Sequence, residues 1–121
     1  MCCAKLREYI SEGVIIENIP AITTLLEQGV LNIKLNVRMN SASQNEFINT
    51  CIPLNAGVTK FVIDMTNCDY IDSFGLGALI VLFDYALING ATVVLINVRQ
   101  SFKKIFTLAE FEQLLEITYL P

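Results

Sequence analysis

The sequence predicts an α/β fold in which a mixed sheet of about five strands carries helices mainly on one face. Short apolar runs of strand length alternate along the chain with segments of helical spacing. One strand–helix–strand unit implies parallel pairing through a right-handed crossover, whereas an early glycine turn predicts an antiparallel hairpin. The length of 121 residues fits one domain with one hydrophobic core.

The domain proper is predicted over residues 21–121, after an N-terminal extension over residues 1–20. Within the extension, residues 4–12 are expected to form a short helix that Gly13 ends. The domain then begins with two strands, residues 22–27 and 30–37. A turn at Gln28-Gly29 joins them as a hairpin, and alternate apolar residues in the second strand predict one wet and one dry face.

The first helix of the domain is predicted from the segment Ser43-Gln44-Asn45-Glu46, which has the pattern of a capping box. Its inward face contains four apolar residues: Phe47, Ile48, Cys51 and Ile52. Pro53 is expected to end or bend this helix, because proline lacks the amide proton that a helix interior needs.

The second half of the domain starts with a continuously apolar strand at residues 61–65, typical of a central strand. A long helix follows over residues 75–89, with Gly90 as the residue after its C-cap, and residues 92–98 form the next strand. A short helix with Ser101 as N-cap is predicted over residues 101–108. A last strand covers residues 115–118.

Composition excludes several classes of function. The net charge of −4 without a basic block makes nucleic acid an unexpected partner. No apolar stretch reaches the ~18 residues of a membrane span, and no secretion signal opens the chain, so a cytoplasmic protein is expected. The chain has no histidine and no CxxC pair, which argues against a metal site. Cys51 and Cys68 are interpreted as small buried hydrophobes, and acylation of Cys2-Cys3 remains an alternative.

The segment from Asp69 to Gly77, Asp-Tyr-Ile-Asp-Ser-Phe-Gly-Leu-Gly, joins a predicted buried strand to the long apolar helix. Ser73 is expected to be the N-cap of that helix. The free amides of the first helical turn could also accept an anion, so Ser73 is a candidate site for a phosphate. The two roles are compatible, because a phosphate would face the positive end of the helix dipole.

The long helix is apolar on nearly every side, and this predicts burial on two sides. One set is assigned to the sheet: Leu76, Leu79, Ile80, Phe83 and Leu87. The opposite set is assigned to a partner surface: Ala78, Val81, Leu82, Tyr85 and Ile88. The alternative is that the N-terminal segment covers this second face.

No enzyme site is predicted, and no cofactor. Ile80 stands where a nucleotide loop would need its third glycine, and a serine hydrolase would need a histidine. Asp64, Asp69 and Asp72 could be imagined as a magnesium site, but are interpreted as solvated loop residues.

Residues 62–65, 70–77 and 92–95, together with Gly90, resemble the corresponding parts of the STAS domain family, which includes the bacterial anti-sigma-factor antagonists. The resemblance covers about residues 22–118. It implies a STAS-type fold with Ser73 phosphorylated by a serine kinase that is itself an anti-sigma factor. A PP2C-type phosphatase would reverse the modification. The implied docking surface is Asp72 with the helix that follows, whose candidate contact residues are Asp72, Phe74, Gly75, Leu76, Ala78, Val81, Leu82 and Tyr85.

The chain departs from the family pattern at four places. Phe74 replaces a usual Ser or Thr, Glu110 replaces a usual glycine, and residues 37–40 (Val-Arg-Met-Asn) replace Gly-Glu-Leu-Asp. Many relatives continue past Pro121 into a last helix. Residues 4–12 are expected to supply that cover, within one chain or by exchange in a homo-oligomer.

Two alternatives to a phosphorylation switch remain open from the sequence. The chain could be a STAS subunit with a permanent interface in a larger complex, such as a stress-sensing assembly or the cytoplasmic part of a lipid transporter. It could also be a small-ligand or lipid-binding module that uses the same apolar helix.

Overall fold

A computed structural model describes residues 20–52 and 57–121 of the chain. Five strands form one sheet in the order β1-β2-β3-β4-β5. Their bounds are β1 Ile22–Glu27, β2 Val30–Leu35, β3 Lys60–Asp64, β4 Thr92–Val98 and β5 Glu116–Tyr119. The β1–β2 pair is antiparallel and the other three pairs are parallel, which confirms the predicted mixed sheet.

The described residues contain four α-helices. Their bounds are α1 Ser41–Cys51, α2 Ser73–Ile88, α3 Lys103–Leu108 and α4 Phe111–Leu114, and a 3-10 turn over Gln100–Phe102 leads into α3. Buried residues of α1, α2 and α3 share one core with the inward residues of the sheet. That arrangement confirms the predicted α/β architecture with helices on one face.

The β1–β2 hairpin turns at Gln28 and Gly29, which have φ angles of 52° and 82°. Positive φ at both central residues is the type I′ geometry, whose twist matches that of the paired strands. In the three central strands alternate residues point into the core: Leu31, Ile33, Leu35, Phe61, Ile63, Val93 and Leu95. The sequence pattern therefore placed both the turn and the dry face of the sheet correctly.

The start of α1 differs from the prediction. Its N-cap is Asn40, whose Oδ1 accepts hydrogen bonds from the amides of Ala42 (3.0 Å) and Ser43 (3.3 Å). Ser43 is the third helical residue and is buried, and its Oγ accepts from the Asn40 amide at 3.0 Å. The predicted capping box at Ser43 and Glu46 was therefore three residues late, because asparagine caps as well as serine does. The expected role of Pro53 lies outside the described residues.

The end of the chain contains a helix that the sequence prediction missed. The predicted helix over 101–108 divides into the 3-10 turn and α3, and Ser101 is not an N-cap. The added helix α4 follows Glu110, which has a left-handed φ of 60°. Phe111 anchors α4 because its ring stacks on Phe106 with centroids 5.3 Å apart. The usual family glycine at position 110 is explained by this backbone conformation.

The remaining element predictions were close. Strand β4 has the predicted bounds, and Gly90 follows α2 with a φ of 73°, as a C′ glycine should. Cys51 and Cys68 are buried and free, as predicted, and burial raises the pKa of the Cys51 thiol to about 12. Within residues 20–52 and 57–121, no helix combines the length and apolarity needed to cross a bilayer. The predictions for residues 1–19, including the short helix and Cys2-Cys3, lie outside the described residues.

Candidate functional site

The candidate site lies where the chain leaves β3 and enters α2. Asp64, the last residue of β3, accepts hydrogen bonds at Oδ1 from the Thr66 amide (2.9 Å), the Thr66 hydroxyl (2.5 Å) and Asn97 Nδ2 (3.1 Å). Partial burial by itself raises the pKa of Asp64, but these hydrogen bonds and the charge of Lys34 outweigh it, so the pKa is lowered. The carboxylate therefore remains ionised and holds the first turn of the loop.

The loop is fixed at two further places. Arg99 donates from Nε to the Cys68 carbonyl at 3.1 Å and from Nη2 to the Thr66 carbonyl at 3.3 Å. Met39, just after β2, pairs with Ile71 like a short parallel strand. The Met39 amide donates to the Tyr70 carbonyl at 2.9 Å. These contacts orient the loop before the helix begins.

Gly75 brings α2 into direct contact with the segment after β2. A Cβ atom added there would stand 2.3 Å from the Met39 carbonyl oxygen and 2.8 Å from Ile71 Cγ1. Backbone cannot move aside as a flexible side chain can, so only glycine fits at position 75. Gly77 is different, because an added Cβ would meet only Gln44 Nε2, at 3.4 Å.

Asp72, rather than Ser73, is the N-cap of α2. Its Oδ1 accepts from the amides of Phe74 (2.9 Å) and Gly75 (3.2 Å), and its carbonyl accepts from the Leu76 amide at 2.9 Å. Two sequence predictions are corrected here: Ser73 is the first helical residue, and the amides of Phe74 and Gly75 are not free for an anion. A carboxylate one residue earlier competes successfully because aspartate caps at least as well as serine.

Ser73 is exposed, and no residue of the described part of the chain forms a hydrogen bond with its hydroxyl. Around it lies a patch, here called the Ser73 surface, made of Arg38, Asp69, Tyr70, Asp72, Ser73 and Phe74. Phe74 is 52% exposed and Tyr70 is 43% exposed. Two accessible aromatic rings beside an accessible hydroxyl give this surface the amphipathic character of protein interfaces.

The charges of the Ser73 surface are linked through Tyr70. The Arg38 guanidinium carbon lies 5.9 Å from the centroid of the Tyr70 ring, and Arg38 Nε is 3.3 Å from Asp69 Oδ1. The Tyr70 hydroxyl donates to Asp72 Oδ2 at 3.4 Å. One arginine and two aspartates therefore leave the surface with a net charge of about −1 before any modification.

The buried face of α2 is rotated from the prediction. The residues of α2 in the core are Gly75, Ala78, Leu79, Leu82 and Ala86. Gly75, Ala78 and Leu82 therefore cannot offer side chains to a partner. Ile80 and Leu87, assigned to the sheet, are 38% and 65% exposed. A helix that is apolar all round has no periodic contrast from which its orientation could be predicted.

The accessible residues of the predicted docking set remain candidates: Asp72, Phe74, Leu76, Val81 and Tyr85. Phe74 and Val81 are exposed, and the other three are partly buried. These five and Ser73 are the sequence-predicted site residues that the fold leaves within reach of another molecule. Arg38 and Tyr70 complete the surface, although neither was among the residues predicted for the site. The signal for Arg38 was the replacement of the usual family acids at residues 37–40, and the signal for Tyr70 was its place in the segment from Asp69 to Gly77.

Two other candidate sites offer fewer groups that could bind or react with a ligand. The three aspartates considered as magnesium ligands each have a different partner. Asp64 holds the loop, Asp69 pairs with Arg38 and Asp72 caps α2. Within the described residues no group of three or more His, Cys, Asp or Glu could hold a metal ion. An open groove of about 450 Å³ lies at the far end of α2; its lining is mostly apolar, with Phe83, Leu87 and Leu114, but also includes Lys60 and Glu116.

Comparisons with known proteins agree with this architecture. The family model of the STAS domain matches residues 6–119. A STAS-domain containing protein of Pseudomonas aeruginosa (strain UCBPP-PA14) is 30% identical over 88 residues, which are 73% of this chain and 87% of the relative.

Three solved structures share the fold at low sequence identity. A candidate anti-sigma factor antagonist of Thermotoga maritima, TM1081, has a TM-score of 0.74 at 18% identity, over 80% of this chain and 85% of that one. The Bacillus cell fate determinant SpoIIAA in its phosphorylated form has a TM-score of 0.63 at 15% identity (84% and 92%). A sulfate transporter family protein of Wolinella succinogenes has 0.69 at 16% identity (84% and 87%). At these identities the likeness shows the fold alone.

Proposed function

Because this chain belongs to the STAS domain family, we propose that it is a non-enzymatic switch protein of the anti-sigma-factor antagonist kind. The unphosphorylated chain binds a serine kinase that also serves as an anti-sigma factor. Phosphorylation of Ser73 by that kinase releases the chain, and a PP2C-type phosphatase restores it. The protein acts in the cytoplasm.

The observation that carries this proposal is that Asp72, and not Ser73, caps α2. Asp72 caps α2, so the helix does not need the Ser73 hydroxyl for its first turn. That hydroxyl is exposed at the edge of the Ser73 surface. A kinase can therefore modify the serine without removing a contact that stabilises the fold.

The added charge explains how modification would end binding. A phosphoserine adds about −1.5 to −2 charges at neutral pH. It would stand beside Asp72 and next to the exposed Phe74 ring, on a surface whose net charge is already about −1. A partner that packs an apolar or acidic surface here would lose several kcal/mol, or roughly a hundredfold or more in affinity. SpoIIAA, which has this fold, is known in phosphorylated and unphosphorylated forms.

The proposal is tested first by mass spectrometry of the full chain after incubation with ATP and its partner kinase. We expect one phosphate, on Ser73, and none on the Ser73→Ala variant. Ser101→Ala is the matched control, because Ser101 is also exposed at the start of a helical segment but lies outside the Ser73 surface. Phosphate on Ser73→Ala, or an unmodified wild-type chain, would contradict the proposal.

Binding to the same kinase is the second test. Ser73→Ala should bind as tightly as the unmodified chain, and Ser73→Asp should bind at least tenfold more weakly, because it adds a charge beside Asp72. Ser101→Asp adds the same charge elsewhere and should bind like wild type. Equal affinities of Ser73→Ala and Ser73→Asp for the kinase would contradict the proposed switch.

A permanent interface in a larger assembly is the second candidate function. It is favoured by the likeness in fold to a sulfate transporter family protein. Under this function the exposed part of α2 contacts its partner constantly, and substitutions at Val81 weaken binding while Ser73→Asp does not. A lipid found on the chain by native mass spectrometry would instead favour a ligand-binding module at the groove beside Leu87 and Leu114.

A further inference from the structure

We propose that Arg38 binds the phosphate on Ser73 within the same chain and exchanges its contact with Asp69 for one with the phosphate. The inference rests on the proposed function, since it concerns the phosphorylated state of that site. In the proposed switch, the charge of Arg38 would then change position when the phosphate charge is added. The exchange also gives a role to a residue in the segment where this chain departs from its family.

The contacts of Tyr70 link Arg38 to Asp72, the residue before Ser73. The guanidinium lies over the Tyr70 ring, 5.9 Å from its centroid. The hydroxyl of the same ring reaches Asp72 Oδ2 at 3.4 Å. Asp72 directly precedes Ser73. The backbone contacts of Met39 with Tyr70 and Asp72 keep the two segments side by side. Arginine has a long flexible stem, so the guanidinium can turn toward Ser73 without a backbone change.

The present partner of Arg38 is weakly held. The Arg38–Asp69 pair is a single contact of 3.3 Å between side chains that are 66% and 55% exposed. Exposed pairs of this kind contribute little to stability because water and salt screen them. A phosphate dianion offers more charge and two or three acceptor oxygens, which match the fork of the guanidinium. The exchange therefore favours the phosphate.

The other arginine near the site is already committed. Arg99 donates to the carbonyls of Cys68 and Thr66, and these bonds hold the loop. Lys34 and Lys60 lie on the other face of the sheet, since they occupy strand positions that alternate with the core residues. In the part of the chain that the structure describes, Arg38 is thus the cation in contact with a residue that touches Asp72.

The exchange has two consequences for the switch. In the unmodified chain Arg38 is available to an acidic group on the partner, with Asp69 as its only ionic contact among the described residues. In the phosphorylated chain Arg38 turns to the phosphate, and Asp69 is left as an unpaired negative charge. The partner then loses a cation and meets an anion in the same step. Arg38 also offsets the repulsion between the phosphate and Asp72, which would otherwise weaken the cap of α2.

The test uses the full chain with phosphoserine encoded genetically at position 73, so that it does not depend on any kinase. A pH titration followed by phosphorus NMR gives the second pKa of the phosphate. A cation in contact stabilises the dianion and lowers that pKa. We expect the value to rise by about 0.3 units or more in Arg38→Ala. Arg38→Lys should give a smaller rise, because it retains the charge without the planar fork.

Lys104→Ala is the control, because Lys104 is exposed on α3 and its removal changes the net charge equally. It should leave the phosphate pKa unchanged. Circular dichroism of each variant checks that the fold is intact. An equal phosphate pKa in the wild-type chain, Arg38→Ala and Lys104→Ala would overturn the role of Arg38 and leave the proposed function standing. Absence of phosphate at Ser73 in the kinase experiment would remove the proposed function, whatever the titration shows.

Discussion

Replacing Gly75 by alanine should destabilise the protein strongly, because of one close approach. The added Cβ would lie 2.3 Å from the Met39 carbonyl oxygen and 2.7 Å from Met39 Cβ. Met39 is fully buried, and its carbonyl accepts the amide of Asp72 at 3.1 Å. The clash can therefore be relieved only by moving backbone, which separates α2 from the segment after β2.

The expected change in the free energy of unfolding of Gly75→Ala is the sum of two opposing contributions. Overpacking a well-packed site costs about 1–3 kcal/mol and sometimes more, and a backbone obstacle favours the upper end. Alanine in place of glycine inside a helix returns up to about 1 kcal/mol. We expect the free energy of unfolding to fall by about 2–3 kcal/mol, which lowers the melting temperature by roughly 10 °C for a domain of this size.

The same motif provides the control, since Gly77→Ala makes the identical chemical change two residues later. Its Cβ would meet only the far end of the Gln44 side chain, at 3.4 Å. We expect Gly77→Ala to be neutral or more stable by up to about 1 kcal/mol. Both variants change the unfolded chain alike, so their difference reports the folded state. Urea denaturation of the full chain, followed by circular dichroism, measures both variants. Equal stabilities would refute the close packing of Gly75 on Met39.

Three further perturbations test other parts of the structure. Asp72→Ala should lower the free energy of unfolding by about 1 kcal/mol in thermal unfolding, whereas Asp72→Asn should retain most of it, because asparagine also caps. Glu110→Gly should raise the melting temperature slightly, since its φ of 60° suits glycine, and a lower melting temperature would contradict that backbone conformation. The pKa of Asp64 is lowered on folding, so its stabilisation is full above the unfolded pKa of about 4 and is lost as the pH falls through the folded pKa. Asp64→Asn should therefore be less stable at pH 7 and should lose less stability on acidification, and an unchanged pH profile would contradict the Thr66 and Asn97 contacts.

The sheet could be predicted from sequence because its signals are local. Alternation in β2, the Gln28-Gly29 turn and the continuous apolar runs of β3 and β4 each depend on a few adjacent residues. The first residues of the helices were harder to predict from the sequence. Asn40 and Asp72 cap α1 and α2, whereas the sequence pattern favoured Ser43 and Ser73, since asparagine, aspartate and serine are all good caps. Only the hydrogen bonds of the folded chain distinguish them.

The exposed position of Ser73 could be predicted from the sequence, but its surroundings could not. Ser73 was selected from the turn between strand and helix, and the fold leaves it exposed. The docking face of α2 was partly wrong, because Ala78 and Leu82 pack into the core and leave Val81 outside. The place of Arg38 on the Ser73 surface could not be predicted, because 34 residues lie between Arg38 and Ser73 in the sequence. The Met39–Ile71 bridge brings their segments together, and a contact of that sequence separation leaves no periodic pattern.

The identity of the helix cap determines whether the proposed modification of Ser73 affects a contact that holds α2. If Ser73 were the cap, its hydroxyl oxygen would be both the acceptor that holds the first turn of α2 and the atom that phosphorylation modifies. With Asp72 as the cap, the Phe74 and Gly75 amides are bonded without the Ser73 hydroxyl. Gly75 packs directly on Met39, so the start of α2 is also held from its buried side, away from the Ser73 hydroxyl. The proposed phosphorylation would thereby act at the outer surface, where charge can alter binding while the cap of α2 is kept.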